Sequence, residues 1–325
     1  MDDYSSSTIS GDQITIHPSG YIIPASFLIL ISITGIAGNG LTILSVFLST
    51  KLRTKTNVFV VNLAFGDLII CLCIPGQVAS LLSPHEPLVS DIFTDLIGIV
   101  TMISMYNTIS TLAVVAFMKC VRITKPSSVF DDLFTKRRIS LIVSVSWAFP
   151  AVYLFTFFYV GGMQFDYDRH KKLFVFTADE ITPLLACYIF EGAYTILSLS
   201  ITVISYVKII LYVRANTRRV ADLLDVPPAA LQNQPPIAIG AWNQEPAARQ
   251  RPNQMADNVR AREIKVTKNL ALVTAVFFLC FLPFPFVPYS SNPYLYIAGV
   301  CVVWCNSAMN PLIYSVKHPD FRKTG

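Results

Sequence analysis

From Asn269 to Val316 the sequence carries no charged side chain at all, and similar gaps recur along its 325 residues. Charged residues make up 14% of the chain against 53% apolar ones, and the mean hydropathy is +0.55. That scarcity excludes an ordinary water-soluble domain, in which about a quarter of residues are charged. Histidine is scarce as well. His17, His85, His170 and His318 stand far apart with no metal-ligand spacing among them. There is no nucleophile elbow, no phosphate loop and no Asn-x-Ser/Thr sequon, so neither an enzyme nor N-glycosylation is expected. Residues 1–20 lack a basic region ahead of an apolar core. No cleavable signal peptide is therefore expected, and the first apolar stretch serves as the insertion signal.

What is abundant is apolar sequence in lengths that suit a bilayer, since a spanning helix needs roughly 20 such residues. Seven stretches qualify, at about 21–48, 56–82, 93–122, 138–161, 181–213, 260–287 and 293–315. The last two are divided by the turn-forming run Pro288 to Pro293. The fold class is all-α, a seven-transmembrane helix bundle over 21–316 whose ends lie on opposite faces. Lys and Arg stay on the cytoplasmic side of membranes. With residues 1–20 as an extracellular tail, three of these residues fall in Lys51 to Lys55, six in Lys119 to Arg138, ten in Lys208 to Lys268 and three in Lys317 to Lys323. Only Arg169, Lys171 and Lys172 remain outside, so the C-terminus is inside. The net charge of +5 thus reads as topology and contact with anionic lipid, not as a nucleic-acid footprint. Of seven cysteines only Cys187 falls near the outer surface, which argues against a structural disulfide. The third inner connection, 216–258, mixes Pro, Ala, Gln and Asn without amphipathic period and reads as disordered. Residues 317–325 read as a short amphipathic helix after the seventh span.

Polar groups inside a bilayer are costly and mark function. In order they are Gly38-Asn39, the run Asn62 to Asp67 (NLAFGD), Trp147 with Pro150, Tyr206, the run Phe277 to Pro283 (FFLCFLP), and the run Asn306 to Tyr314 (NSAMNPLIY). Breakers occur singly, without the matched broken helices of a transporter, so a transporter is not expected. This series, on seven spans in this orientation, resembles the rhodopsin-like (class A) family of G-protein-coupled receptors across nearly the whole chain. Within it the phrases NVFVVNLAFGD and VRITKP look most like melatonin receptors and related invertebrate orphan receptors.

The resemblance implies a plasma-membrane receptor that couples an extracellular ligand to a heterotrimeric G protein. It gathers Asp67 with Asn39, Thr108, Asn306, Ser307 and Asn310, oxygen-bearing side chains that suit a sodium ion; the other reading is a protonated Asp67 in a hydrogen-bonded network. It lines a ligand pocket with Gln77, Thr101, Met102, Met105, Glu191, Tyr194, Phe284, Val300 and Trp304. Glu191 has two readings, a ligand-facing acid or an interface residue near the outer headgroups. Thr101 stands where amine receptors carry an acid, and Trp304 where opsins carry the Schiff-base Lys. Neither a classical monoamine nor covalent retinal is expected as the ligand.

Four departures from the family pattern stand out. The third-span cysteine that ties down the second outer loop is replaced near Thr94, so that loop is expected to be more mobile. A fifth-span proline is Ser198, leaving Ile109 and Phe277 of a three-residue relay. An aromatic toggle before Pro283 is Phe281 in place of Trp. The acidic-Arg-Tyr triplet is Met118-Lys119-Cys120. Lys119 keeps a charge but not the planar fork of Arg. Glu263 could pair with it, an exposed contact worth about 0–1 kcal/mol. Tyr206 and Tyr314 are the inner tyrosines, and Asn310 with Pro311 completes the switch set. A ligand-binding decoy or scaffold with little G-protein coupling is the second reading.

Overall fold

A computed structural model describes residues 18–83, 91–168, 172–224, 274–281 and 292–317. Eight helices run through them: α1 Ile22–Leu48, α2 Lys55–Leu82, α3 Asp91–Thr124, α4 Ser127–Leu133, α5 Lys136–Tyr159, α6 Ile181–Leu224, α7 over 274–281, and α8 Pro293–Lys317. Five of them, α1, α2, α3, α5 and α6, are long and apolar enough to cross a membrane. A bilayer interior offers no water to satisfy backbone groups, so each crossing segment is a helix that satisfies its own. Pro75, Pro150 and Pro311 sit within α2, α5 and α8 without ending them. Residues 216–224, expected to begin a disordered connection, continue α6 as helix; the rest of the third inner connection and the segment after α8 lie outside the described residues.

Where charge reappears, the helices start. Thr54 caps α2 by accepting from the Asn57 N–H, and Thr135 caps α5 by accepting from the Arg138 N–H. The bundle is centred on α3, whose apolar window is 67% buried, against 22% for those of α5 and α6. The large apolar residues left exposed, such as Ile23, Leu41, Val152 and Ile196, form faces suited to lipid chains. The main core joins Phe59, Leu63, Ile109, Leu112, Met118 and Phe277 across α2, α3 and α7.

One element was not foreseen from composition. Met163–Asp168 (β1) and Leu173–Ala178 (β2) form an antiparallel hairpin with Met163 opposite Ala178 and Asp168 opposite Leu173. It joins α5 to α6 and lies across one end of the bundle, against α2 and α3; α4 lies at the other end, against α3.

Candidate functional site

Beneath the hairpin is a cavity of about 290 Å³. It has Gln77 on α2, Thr101, Met102 and Met105 on α3, Glu191 on α6, and Val300 and Trp304 on α8. All seven were expected there. Tyr194 is not in the lining. It turns into the seam between α3, α5 and α6, edge-on to Tyr106 at 5.3 Å and stacked with Phe149 at 6.0 Å. Phe284 lies outside the described residues. Of the two readings of Glu191, the structure brings the side chain to the cavity wall.

Sequence reasoning missed the roof, where Phe165 of β1 and the run Leu173 to Phe176 of β2 close the cavity. The signal was present, because MQFDYD and LFVFTA are rich in aromatic residues and follow Gly161-Gly162, a strand-like pattern after a turn. Gly162 takes φ +65°, a conformation that L side chains rarely adopt. The loop expected to be more mobile for want of a disulfide makes other contacts to the bundle. All cysteines in the described residues are free, yet the hairpin is anchored without a disulfide. The Phe165 N–H donates to Asp95 Oδ1 at 2.8 Å, one residue from Thr94. Lys172 Nζ donates to the Ser83 carbonyl at 2.9 Å and lies 5.0 Å over the Tyr21 ring, while the Tyr167 hydroxyl reaches the Ser80 carbonyl at 3.3 Å. Gly98 leaves room for the Phe165 ring, which a Cβ there would meet at 2.2 Å.

Below this cavity, and sharing Met105, Val303 and Trp304 with it, is a space of only about 10 Å³ bordered by Asp67, Thr108, Asn306 and Ser307. Asn310 Nδ2 donates to Asp67 Oδ2 at 2.6 Å. Asp67 Oδ1, Thr108 Oγ1 and Asn306 Oδ1 are buried with no hydrogen-bond partner. Asn39 stands one step back, donating to the Ser307 carbonyl at 2.9 Å, so it braces α1 against α8 and does not border the space. Buried polar atoms are almost always paired; the Thr108 and Ser307 hydroxyls lie near enough to Asp67 to serve it, and together with Asn306 these groups present oxygens to one small cavity. A hard cation with oxygen ligands fits them.

A second polar cluster, only partly foreseen, ties α2, α3 and α5 together. Trp147 Nε1 donates to Asn62 Oδ1 at 2.8 Å, and Asn62 Nδ2 donates to Asn107 Oδ1 at 2.9 Å and Thr111 Oγ1 at 2.8 Å. The Ser146 hydroxyl completes it on Asn107 Oδ1 at 2.8 Å.

At the α4 end, Met118 is fully buried in the main core with Phe130 and Phe134, and the Thr56 hydroxyl meets its Sδ at 3.5 Å. Lys119 is also buried, and Cys120 packs with Ile123, Ile209 and Tyr206. The Tyr206 hydroxyl is 3.5 Å from Thr274 Oγ1 on α7. Phe277 and Phe281 stack at 4.3 Å on α7, with Phe277 and Ile109 in the main core. Ser198 is buried on α6, and its carbonyl accepts from the Thr202 hydroxyl. Glu263, Pro283 and the Tyr314 side chain lie outside the described residues, and with them the proposed Lys119 pairing. Pro311 is buried within α8 against α1, where a Cβ on Gly38 would meet its ring at 2.6 Å.

Known proteins match this arrangement over most of its length. The chain is 23% identical to melatonin receptor type 1C of Gallus gallus over 92% of its own length and 79% of that protein's. It is 26% identical to the GQ-coupled rhodopsin of Mizuhopecten yessoensis over 93% of its length, spanning 58% of that protein. The crystal structure of squid rhodopsin superposes with a TM-score of 0.75, covering 96% of this chain and 85% of the other at 18% identity, which speaks to the fold. The family model described as 7 transmembrane receptor (rhodopsin family) matches residues 38–314, and the chain belongs to that family of multi-pass membrane receptors that signal through G proteins.

Proposed function

We propose that the chain is a plasma-membrane receptor that binds an extracellular small molecule under the β1/β2 hairpin and drives nucleotide exchange on a heterotrimeric G protein at the α4 end. The observation that carries this reading is the pair of stacked compartments: a ligand-sized cavity above and a small polar space around Asp67 below, with Met105, Val303 and Trp304 as common wall. An occupant of either one pushes on the same side chains, which is how two sites bias one equilibrium. Loop charge supports the orientation, with the hairpin outside.

The lower space suits sodium. Asp67, Thr108 and Asn306 would supply its oxygens, Ser307 borders it, and Asn310 orients the Asp67 carboxylate. The bound ion would neutralise Asp67 and tie α2, α3 and α8 together. Sodium chloride is expected to raise the melting temperature of the purified chain relative to choline chloride at equal ionic strength. Asp67→Asn removes that difference; a difference of the same size in Asp67→Asn excludes the site.

The changed triplet is the reason for the decoy reading, since Met118, fully buried in the apolar core, puts no negative charge where the family pattern has an acid. Exchange on purified G proteins separates the two. The Gq class comes first because the Mizuhopecten yessoensis relative carries that coupling in its name. Wild type is expected to exchange nucleotide as well as a variant carrying Met118→Asp, Lys119→Arg and Cys120→Tyr. Exchange by the restored variant alone means that the natural chain is a decoy.

A further inference from the structure

The upper cavity accepts before it donates. Glu191 is the one charged side chain among its lining residues, and Gln77, on the α2 wall, holds its Oε1 buried with no hydrogen-bond partner. The rest of the wall is mostly apolar and aromatic, as Met102 and Trp304 illustrate. A carboxylate in such a setting is costly without a counter-charge, and an unpaired amide oxygen costs roughly 1–3 kcal/mol. Among the described residues no Lys or Arg forms an ion pair with Glu191, and no Lys or Arg shares the cavity wall with it. At about 290 Å³ the space lies at the small end of the range for small-molecule sites.

The approach to the cavity is acidic too. Among the described residues, the hairpin, its link to α6 and the start of α3 carry Asp95, Asp166, Asp168, Asp179 and Glu180 against Lys172. A cleft lined by one sign of charge raises the local concentration of the opposite ion.

We propose that the ligand is a small organic cation, an ammonium on an aromatic body, whose charge is held by Glu191 on α6 and whose far end donates a hydrogen bond to Gln77 on α2. The charge is thus held from α6, since the α3 position that lines the same cavity is the neutral Thr101. This rests on the receptor reading for its relevance to signalling, but binding is measured without a G protein.

The probes are pairs in which acetylation removes the charge and adds an acetyl group, phenethylamine with N-acetylphenethylamine and tryptamine with N-acetyltryptamine, so that the Glu191 variants separate charge from size. Each is titrated into the full chain in lipid nanodiscs. At least one ammonium member is expected to bind ten-fold or more tighter than its acetamide. Glu191→Gln brings the pair to within about two-fold, and Glu191→Asp keeps the preference, which separates lost charge from lost fold. Gln77→Leu is expected to weaken tryptamine, which has an indole N–H to donate, more than phenethylamine, which has none. Wild type that binds no ammonium, or binds each pair equally, overturns the proposal. An ammonium preference that survives in Glu191→Gln overturns it as well. Ammonium binding through Glu191 without nucleotide exchange on any G protein would instead sink the coupling reading and leave the ligand class standing.

Discussion

Glycine spacing on α1 shows how much a single methyl group decides. A Cβ at Gly35 would lie 2.2 Å from Cys71 Sγ on α2, and one at Gly38 2.6 Å from Pro311 on α8, whereas at Gly40 nothing lies within 4 Å. Small residues let membrane helices approach closely, so the first two set the separation of α1 from its neighbours. Gly35→Ala and Gly38→Ala are expected to lower the melting temperature by several degrees in nanodiscs. Gly40→Ala, which removes only a poor helix former, leaves it level or higher. Trp147 is a similar case in polar terms. Trp147→Phe keeps the ring and strands Asn62 Oδ1, at a cost of about 1–3 kcal/mol that a thermal or chemical denaturation series reads directly. Asn62 and Trp147 were legible in the sequence because polar groups in apolar runs stand out. Asn107 and Ser146 were not, since only the docking of α3 between α2 and α5 makes them partners.

Elements hold together here through side chains at their ends, and the hairpin is the clearest instance. A loop-closing disulfide is typically worth about 2–4 kcal/mol. Net contributions of about 0.5–1.5 kcal/mol from each of three hydrogen bonds, those of Asp95, Lys172 and Tyr167, reach a similar total. Reductant is therefore expected to leave ligand binding unchanged. The pair Asp95→Ala and Lys172→Met speeds both hydrogen exchange across Leu173–Ala178 and ligand dissociation; unchanged exchange in that variant refutes the anchoring role. None of this was legible from hydropathy, because the strands gain their pairing from residues up to fifteen positions apart and their anchors from helices α2 and α3. At the opposite end Lys55 Nζ donates to Asp131 Oδ1 at 2.7 Å, and this bond holds the Asp131 carboxyl below the usual carboxylate range. A depressed pKa stabilises the folded state above the ordinary carboxylate value and loses that contribution as pH falls through the depressed one. The pair is exposed, so its loss is expected in an NMR titration of Asp131 and not in the melting temperature, and Lys55→Gln returns the titration to the ordinary range.

Across the whole molecule, what the sequence disclosed best was the set of residues fixed by one-dimensional periodicity and by polar interruption: the helical spans, and the cavity position of seven of the nine residues expected to line it. What it disclosed poorly depends on which helix faces meet. Asn39 turned out to brace α8 and Tyr194 to fill a seam, because helix rotation, not residue type, decides such roles. The same faces make the two compartments neighbours, and a strict thermodynamic consequence follows. Met105, Val303 and Trp304 line both spaces, so on the proposals above a sodium ion in the lower one and an ammonium ligand in the upper one would press on the same side chains, and each is expected to weaken the other. Linkage requires the two factors to be equal, and such couplings typically fall between about 5-fold and 150-fold. Tryptamine affinity measured with and without saturating sodium, and sodium affinity measured with and without saturating tryptamine, should give one number. Trp304→Ala lowers tryptamine affinity whatever the ion, but it should also shrink the ratio towards one, because it removes the wall through which the two occupants touch. Asp67→Asn should set the ratio to one while leaving tryptamine affinity at its sodium-free value. A full ratio in Trp304→Ala would mean that the coupling runs through the helices as rigid bodies and not through this shared wall.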